Sequence, residues 1–198
     1  MIEIEKNFDL KNGDKEKLIA DATFLRKITL TDTYYDTKDF RLTTKDHWLR
    51  QRNGRFELKT PINSTAADRI TDQYREIEND KEIINALSLP GDKPLIQTLS
   101  DAGINPFVTI ITKRQSYKKG EFHLDFDEMD FGFSTFEAEL MIENESDSKT
   151  ASDRIMEFAK QHGLEGSAGD GKVIEYLKRN NPKHYEALVS AKITRERA

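Results

Sequence analysis

One motif recurs along this chain and restricts what it can fold into: two charged residues flanking a third that is, with one exception, apolar. Glu3-Ile4-Glu5 opens the sequence. Arg50-Gln51-Arg52, Glu57-Leu58-Lys59, Glu76-Ile77-Glu78, Asp125-Phe126-Asp127 and Glu137-Ala138-Glu139 repeat the arrangement. In a β-strand, residues i and i+2 project from the same face. Each triplet therefore presents two charges to one side and, Gln51 apart, an apolar group to the other. The solvated face of an antiparallel sheet accounts for any one triplet taken alone. It accounts less well for segregation by sign. Glu3/Glu5, Asp125/Asp127 and Glu137/Glu139 place like charges side by side, which is unfavourable unless a cation or distance relieves them. If the acidic and basic faces converge, hard oxygen ligands stand beside fork-shaped and point-charge donors. A metal-bound polyphosphate requires that combination.

Composition narrows the field. A chain of 198 residues can bury a real core, and one domain spanning residues 1–198 is expected. No apolar stretch approaches a membrane span, and Met1-Ile2-Glu3 lacks the basic-then-apolar start of a signal peptide. The sequence has no cysteine, which excludes disulfides and thiolate metal sites and makes a cytoplasmic location the simplest expectation. A net charge of −5 argues against nucleic-acid binding by bulk phosphate neutralisation. With only four His, a metal site would be built from oxygen and suit Mg²⁺, Mn²⁺ or Ca²⁺. A monomer acting on a small molecule, with no membrane and no nucleic-acid partner, is the resulting expectation.

Hydrophobic alternation predicts strands over 2–8, 28–36, 47–53, 55–60, 69–78, 107–117, 121–127 and 134–143. Asn53-Gly54 between the third and fourth is a hairpin signal, and a polar loop is expected from Pro61 to about Asp68. Helical patterning predicts helices near 14–22, 80–88, 93–102, 148–162, 171–179 and 183–193, with Asn181-Pro182 as a break. About eight antiparallel strands are enough to close a barrel with room for a small ligand. The charges would line its inside. Ile4, Leu49, Leu58, Ile77, Phe126 and Ala138 would lie outside, under helices.

Beyond these patterns, the chain resembles the CYTH superfamily, the triphosphate tunnel metalloenzymes, and the thiamine triphosphatase branch in particular. The likeness begins at Glu3-Ile4-Glu5, where the family carries E-x-E-x-K. It sharpens at Asp32-Thr33-Tyr34-Tyr35-Asp36-Thr37, at Asp46-His47-Trp48-Leu49-Arg50-Gln51-Arg52 and at Glu57-Leu58-Lys59. It continues through Thr112-Lys113-Arg114, Asp125-Phe126-Asp127, Asp130-Phe131-Gly132, Glu137-Ala138-Glu139 and the segment Lys172–Leu177. The resemblance implies an α+β fold: an eight-stranded antiparallel tunnel with helices packed outside. It implies metal positions at Glu3, Glu5, Asp125, Glu137 and Glu139. It implies phosphate-binding positions at Arg50, Arg52, Lys59, Arg114 and Lys172, with Asp125 and Glu137 also at the substrate. Mg²⁺-dependent hydrolysis of thiamine triphosphate is the implied activity. An inorganic triphosphatase on the same tunnel, or a polyphosphate- or nucleotide-binding module, are the alternatives.

One position departs from the family pattern. Position 7 should carry the motif lysine but carries Asn7. An amide donates a hydrogen bond but supplies no charge, so weakened turnover is the expectation. Lys6 points to the opposite face unless a bulge turns it inward. Trp48 shares a face with Arg50 and Arg52; it is either a packed aromatic or a stacking surface for the cationic thiamine ring. Tyr34 and Tyr35 read as one inward and one outward residue, and Tyr34 could place its hydroxyl near an attacking water. By the same resemblance Lys172 joins Tyr34 as a catalytic candidate. His47 and His123 show no metal spacing and read as bystanders.

Overall fold

A computed structural model describes residues 1–62, 70–164 and 170–194. Its eight strands, numbered in chain order, are β1 (Ile2–Phe8), β2 (Thr23–Asp36), β3 (Trp48–Arg52), β4 (Arg55–Pro61), β5 (Asp72–Ile77), β6 (Asn105–Lys119), β7 (Phe122–Met129) and β8 (Ser134–Ile142). The helices are α1 (Asp14–Ile19), α2 (Asp80–Ala86), α3 (Leu95–Asp101), α4 (Ser148–Gln161), α5 (Lys172–Asn180) and α6 (Pro182–Ser190). The strands close into an antiparallel barrel in the order β1-β5-β4-β3-β2-β6-β7-β8. Closure removes every unpaired strand edge.

Local chemistry explains the boundaries. Asn53 and Gly54 both have positive φ, 47° and 88°, the backbone that a two-residue turn needs to follow the twist of β3 and β4. The Asn79 side chain accepts the amides of Lys81 and Glu82 and starts α2. Pro182 occupies the first turn of α6, where its missing N–H costs nothing. The largest difference from expectation is β2. It begins at Thr23, five residues before the predicted start, because it pairs with β6 along its whole length. Simple alternation misses that extension because the register shifts between Phe24 and Arg26. The longer strand also ends α1 at Ile19. β5 starts at Asp72; residue 69 of the strand expected there, and most of the expected polar loop, lie outside the described residues.

Two helical layers cover the outside of the barrel, and a third packs on part of its inner face. α4 sets Ala151, Ile155 and Phe158 on Ile4, Phe8, Phe136 and Ala138 of β1 and β8. α2 and α3 set Ile83, Ile84, Leu95 and Leu99 on Leu49 and Leu58. α5 and α6 place Val173, Leu177 and Leu188 beside Val108 and Ile110. The apolar members of the triplets are therefore on the outer, helix-covered face: Ile4, Leu49, Leu58, Phe126 and Ala138 are buried and Ile77 partly so. The barrel is inverted relative to an ordinary core: its charges lie within and two of its three apolar clusters lie outside, while the cluster of α5 and α6 packs on inward-facing Tyr34, Val108 and Ile110. No helix among the described residues is long and apolar enough to cross a membrane.

Candidate active site

The lumen is a cavity of about 340 Å³. Strand register assembles its acidic wall. Glu5 lies directly across from Glu139 in the β1–β8 ladder, and Asn7 lies across from Glu137. Asp125 of β7 lies opposite Glu137, and His123 opposite Glu139. Glu3, Glu5 and Glu139 each offer a carboxylate oxygen within 4.8 Å of the others. The basic wall is built in the same way from β3, β4 and β6, closed by Lys172 at the first turn of α5.

Each basic residue expected at the phosphate lines this cavity and is ion-paired inside it. Arg50 donates to Glu57 at 2.7 Å and to Glu76 at 3.1 Å. Arg52 forks onto Asp32 at 2.7 and 2.9 Å, and Lys172 reaches the same carboxylate at 2.6 Å. Lys59 bonds Glu5 at 3.1 Å and also contacts Glu3. Arg114 forks onto Asp127 at 2.7 and 2.6 Å, reaches Glu137 at 3.0 Å and contacts Asp125. Carboxylates and cations therefore interleave, and the cations are held in position rather than left to sweep the lumen.

The balance is uneven among the acids. Burial pushes up the carboxyl of Glu5, and neighbouring Glu3 adds to it, reaching about 8. Burial and the carboxylates of Glu3 and Asp125 push Glu139 to about 9. Burial also acts on Glu3, but there the Lys59 ammonium outweighs it and holds the carboxyl below its usual value. Glu5 and Glu139 thus hold protons more tightly folded than unfolded. Their contribution to stability is full below pH 4.5, shrinks above it and is lost as pH rises through 8 and 9. In a chelator, the melting temperature should fall between pH 7 and pH 9. A divalent cation should reverse the fall by replacing the protons. A chelated protein that melts no lower at pH 9, or a Glu5→Gln/Glu139→Gln variant with the same fall, would contradict this origin.

The residues singled out from sequence converge. Glu3, Glu5, Asp125, Glu137 and Glu139 all line the cavity, as do Asn7, Tyr34, Trp48, Arg50, Arg52, Lys59, Arg114 and Lys172. Within the acidic set the structure draws a distinction: Glu3, Glu5 and Glu139 cluster, while Asp125 and Glu137 are engaged by Arg114. No bulge turns Lys6 inward. The β1–β8 register runs unbroken from Ile2 to Phe8, and Lys6 donates to the Ile70 carbonyl at 2.6 Å. Asn7 faces the lumen and accepts a hydrogen bond from Thr135 at 3.0 Å.

Several lumen residues were not picked out as site residues from the sequence. Glu57 and Glu76 belong to the recurring triplets, so alternation alone could have assigned them. Asp32 and Asp127 counter Arg52 and Arg114. His123, read as a bystander, lines the cavity and joins Asp125 at 3.1 Å to Glu139 at 3.7 Å. His47 is absent from the cavity lining. Asp46 is the least expected. It has a left-handed backbone, φ 61°, and its carboxylate accepts Trp48 Nε1 and the Tyr74 hydroxyl, each at 2.8 Å. Trp48 is thereby fixed against the lumen, half-buried. Tyr34 faces inward and Tyr35 packs outside on Phe56.

A closed antiparallel barrel of eight strands, charged within and helix-covered without, is the triphosphate tunnel fold. The chain belongs to the CYTH family: the CYTH domain matches residues 1–174. It is 28% identical to thiamine-triphosphatase of Homo sapiens, over all of this chain and 93% of that protein. It is 26% identical to thiamine-triphosphatase of Macaca fascicularis, with the same coverage. The PH1819 protein of Pyrococcus horikoshii OT3 shares the fold, with a TM-score of 0.63 at 19% identity over 90% of this chain and 99% of that one. HpAC1 of Hippeastrum, described as having a dominant triphosphatase activity, superposes with a TM-score of 0.54 at 15% identity, over 90% of this chain and 94% of that one.

Proposed function

We propose that the protein is a divalent-metal-dependent hydrolase that splits thiamine triphosphate into thiamine diphosphate and phosphate. One observation carries the reading: a single cavity holds a carboxylate cluster, a wall of pre-positioned cations and a fixed indole. Full-length similarity to thiamine-triphosphatases supports the same substrate.

The donor set fits a hard cation. Glu3, Glu5 and Glu139 supply only oxygen, and crowding of their charges is what a cation relieves. These three would hold Mg²⁺ or Mn²⁺, with Asp125 and Glu137 close by in the same wall. When bound, the ion neutralises phosphate oxygens and orients the terminal group. Charge makes it necessary. Among the described residues, eleven carboxylates and six Lys or Arg side chains line the cavity, so the bare lumen repels a polyanion.

Arg50, Arg52, Lys59 and Arg114 bind the phosphate oxygens, the guanidinium groups by two-point contacts. Their carboxylate partners keep them aimed before substrate arrives, which lowers the reorganisation needed at the transition state. Lys172 sits where the uncapped first turn of α5 meets the cavity, so ammonium and helix dipole act on the same negative charge. It stabilises the charge that develops on the departing diphosphate. Tyr34, facing Arg50 across the β2–β3 ladder, orients the attacking water. Asn7 contributes a neutral amide. A cysteine-free chain of this kind suits a reducing compartment, and the whole length serves one CYTH-type domain.

An inorganic triphosphatase would use the same charges without the indole, so Trp48 separates the two readings. Trp48→Ala should raise KM for thiamine triphosphate by about 5–30-fold, the worth of one cation–π contact, and leave tripolyphosphate nearly unaffected. Equal losses for both substrates would take Trp48 out of ring recognition. The primary experiment measures phosphate release from thiamine triphosphate, tripolyphosphate, ATP and GTP, with Mg²⁺ or Mn²⁺ and with EDTA. Preference for tripolyphosphate would favour the inorganic reading. Binding without release would make the chain a polyphosphate-binding module.

A further inference from the structure

Of the six Lys or Arg side chains lining the cavity, five are tied to carboxylates at the distances given above. The sixth is Arg26. It has no ion pair and no hydrogen bond among the described residues, and it is exposed at the cavity's opening. Its inward direction follows from regular pairing: Arg26 lies on the same face of β2 as Asp32 and Tyr34, and the irregularity in β2 falls just before it. Phe24 pairs with Tyr117 and Arg26 with Ser116, which leaves Leu25 as the extra residue of a bulge. Tyr117 packs outside on Phe126, and Phe24 packs against Tyr117. Ser116 is inside, donating to Asp125 at 2.6 Å. Without the bulge, alternation running back from Arg26 would turn Phe24 into the lumen; with it, Phe24 stays outside on Tyr117. Leu25 is 45% exposed, and Arg26 lines the cavity.

The register places Arg26 in a telling row. Ladder partners run from Asn7 to Glu137, to Asp125, to Ser116 and to Arg26. Asp125, the nearest acid in that row, is already taken by Ser116, Arg114 and His123. The guanidinium therefore stays available for an anion that enters the tunnel.

We infer that Arg26 is a substrate-binding cation, which supplies to the bound polyphosphate the positive charge that Asn7 does not. This rests on the triphosphatase reading. The contact is to phosphate oxygens, so thiamine triphosphate and tripolyphosphate should feel it alike. That pattern distinguishes it from Trp48.

The test compares Arg26→Gln, Arg26→Lys and Arg26→Gln/Asn7→Lys with the unaltered chain at low ionic strength. The probes are tripolyphosphate binding in Mn²⁺ by calorimetry, and KM and kcat for both triphosphates. The Arg26 side chain makes no ion pair or hydrogen bond among the described residues, so melting should be unchanged in the two single variants. Arg26→Gln should weaken binding and raise KM by about 5–20-fold, the effect of one partly solvated charge-assisted contact. Arg26→Lys should recover most of the loss, and added Asn7→Lys should restore binding. A Kd and KM for Arg26→Gln within about 2-fold of the unaltered chain would overturn the inference while leaving the triphosphatase reading intact. Absence of rescue by Asn7→Lys would overturn the substitution of one charge for the other. An unaltered chain that neither binds nor hydrolyses any triphosphate would overturn both readings.

Discussion

Glu139→Gln should cut phosphate release from thiamine triphosphate by about 10²–10³-fold, the range for removing one electrostatic group aimed at a reacting centre, while the metal-free protein melts no lower than the unaltered chain. The two halves come from one geometry. Glu139 shares the cavity with Glu3 and Glu5, their oxygens within 4.8 Å of one another, and burial beside these acids raises its carboxyl to about 9. Without metal it keeps its proton at neutral pH, and the neutral amide replaces that uncharged form at little cost. In the proposed metal site it would be one of three ligands, and the amide is a poor replacement for a hard anionic oxygen. Phosphate release across a Mn²⁺ titration, with melting curves in EDTA, checks both. Unchanged turnover at limiting metal would remove Glu139 from the metal site. Lost turnover with a collapsed fold would mean that the residue is structural.

Arg114→Met should destabilise the fold by about 3–5 kcal/mol, the range for breaking a buried ion pair from one side. Arg114 is the shared counter-ion of Asp125, Asp127 and Glu137. Side-chain exposures of 11% for the arginine and 2%, 0% and 16% for these acids leave little solvent to screen what remains. Burial alone would lower the arginine's proton affinity, but Asp127, Glu137 and Asp125 more than reverse it. Denaturant unfolding reads the loss directly. Adding Asp127→Asn should recover part of it, because one uncompensated charge disappears with the pair. A single variant within about 1 kcal/mol of the unaltered chain would place the cluster in the weak, solvent-screened class instead.

Much of this architecture follows from two-residue periodicity. Any sequence that alternates charge with Ile, Leu, Phe or Ala along eight strands must separate them onto two faces. Wherever those apolar faces meet helices such as 148–162, with Ala151, Ile155 and Phe158 on one side, the charges are forced inward. That logic reaches the barrel, its inverted polarity, the acids Glu3, Glu5 and Glu139, the cations Arg50, Arg52 and Lys59, and the outward direction of Lys6. The turn at Asn53-Gly54 is legible for the same kind of reason: its backbone requirement is local. The CYTH resemblance adds roles to these positions, notably that of Lys172, which no strand pattern reaches because it lies on a helix.

Tertiary structure decides what depends on partners distant in sequence. The Asp46 carboxylate meets Tyr74 only because β5 closes the barrel on β1 and β4, and no spacing announces that a left-handed aspartate holds Trp48. Asp32 joins Arg52 to Lys172, which is 140 residues away. The five extra residues of β2 are stabilised by pairing with β6, so their own alternation need not be regular. The bulge this permits keeps Phe24 outside on Tyr117, where unbroken alternation would turn it into the lumen. A period of two identifies a face only while the register holds. Where it slips by one residue, the sequence before and after reads the same, and only the neighbouring strand determines which side chain points inward.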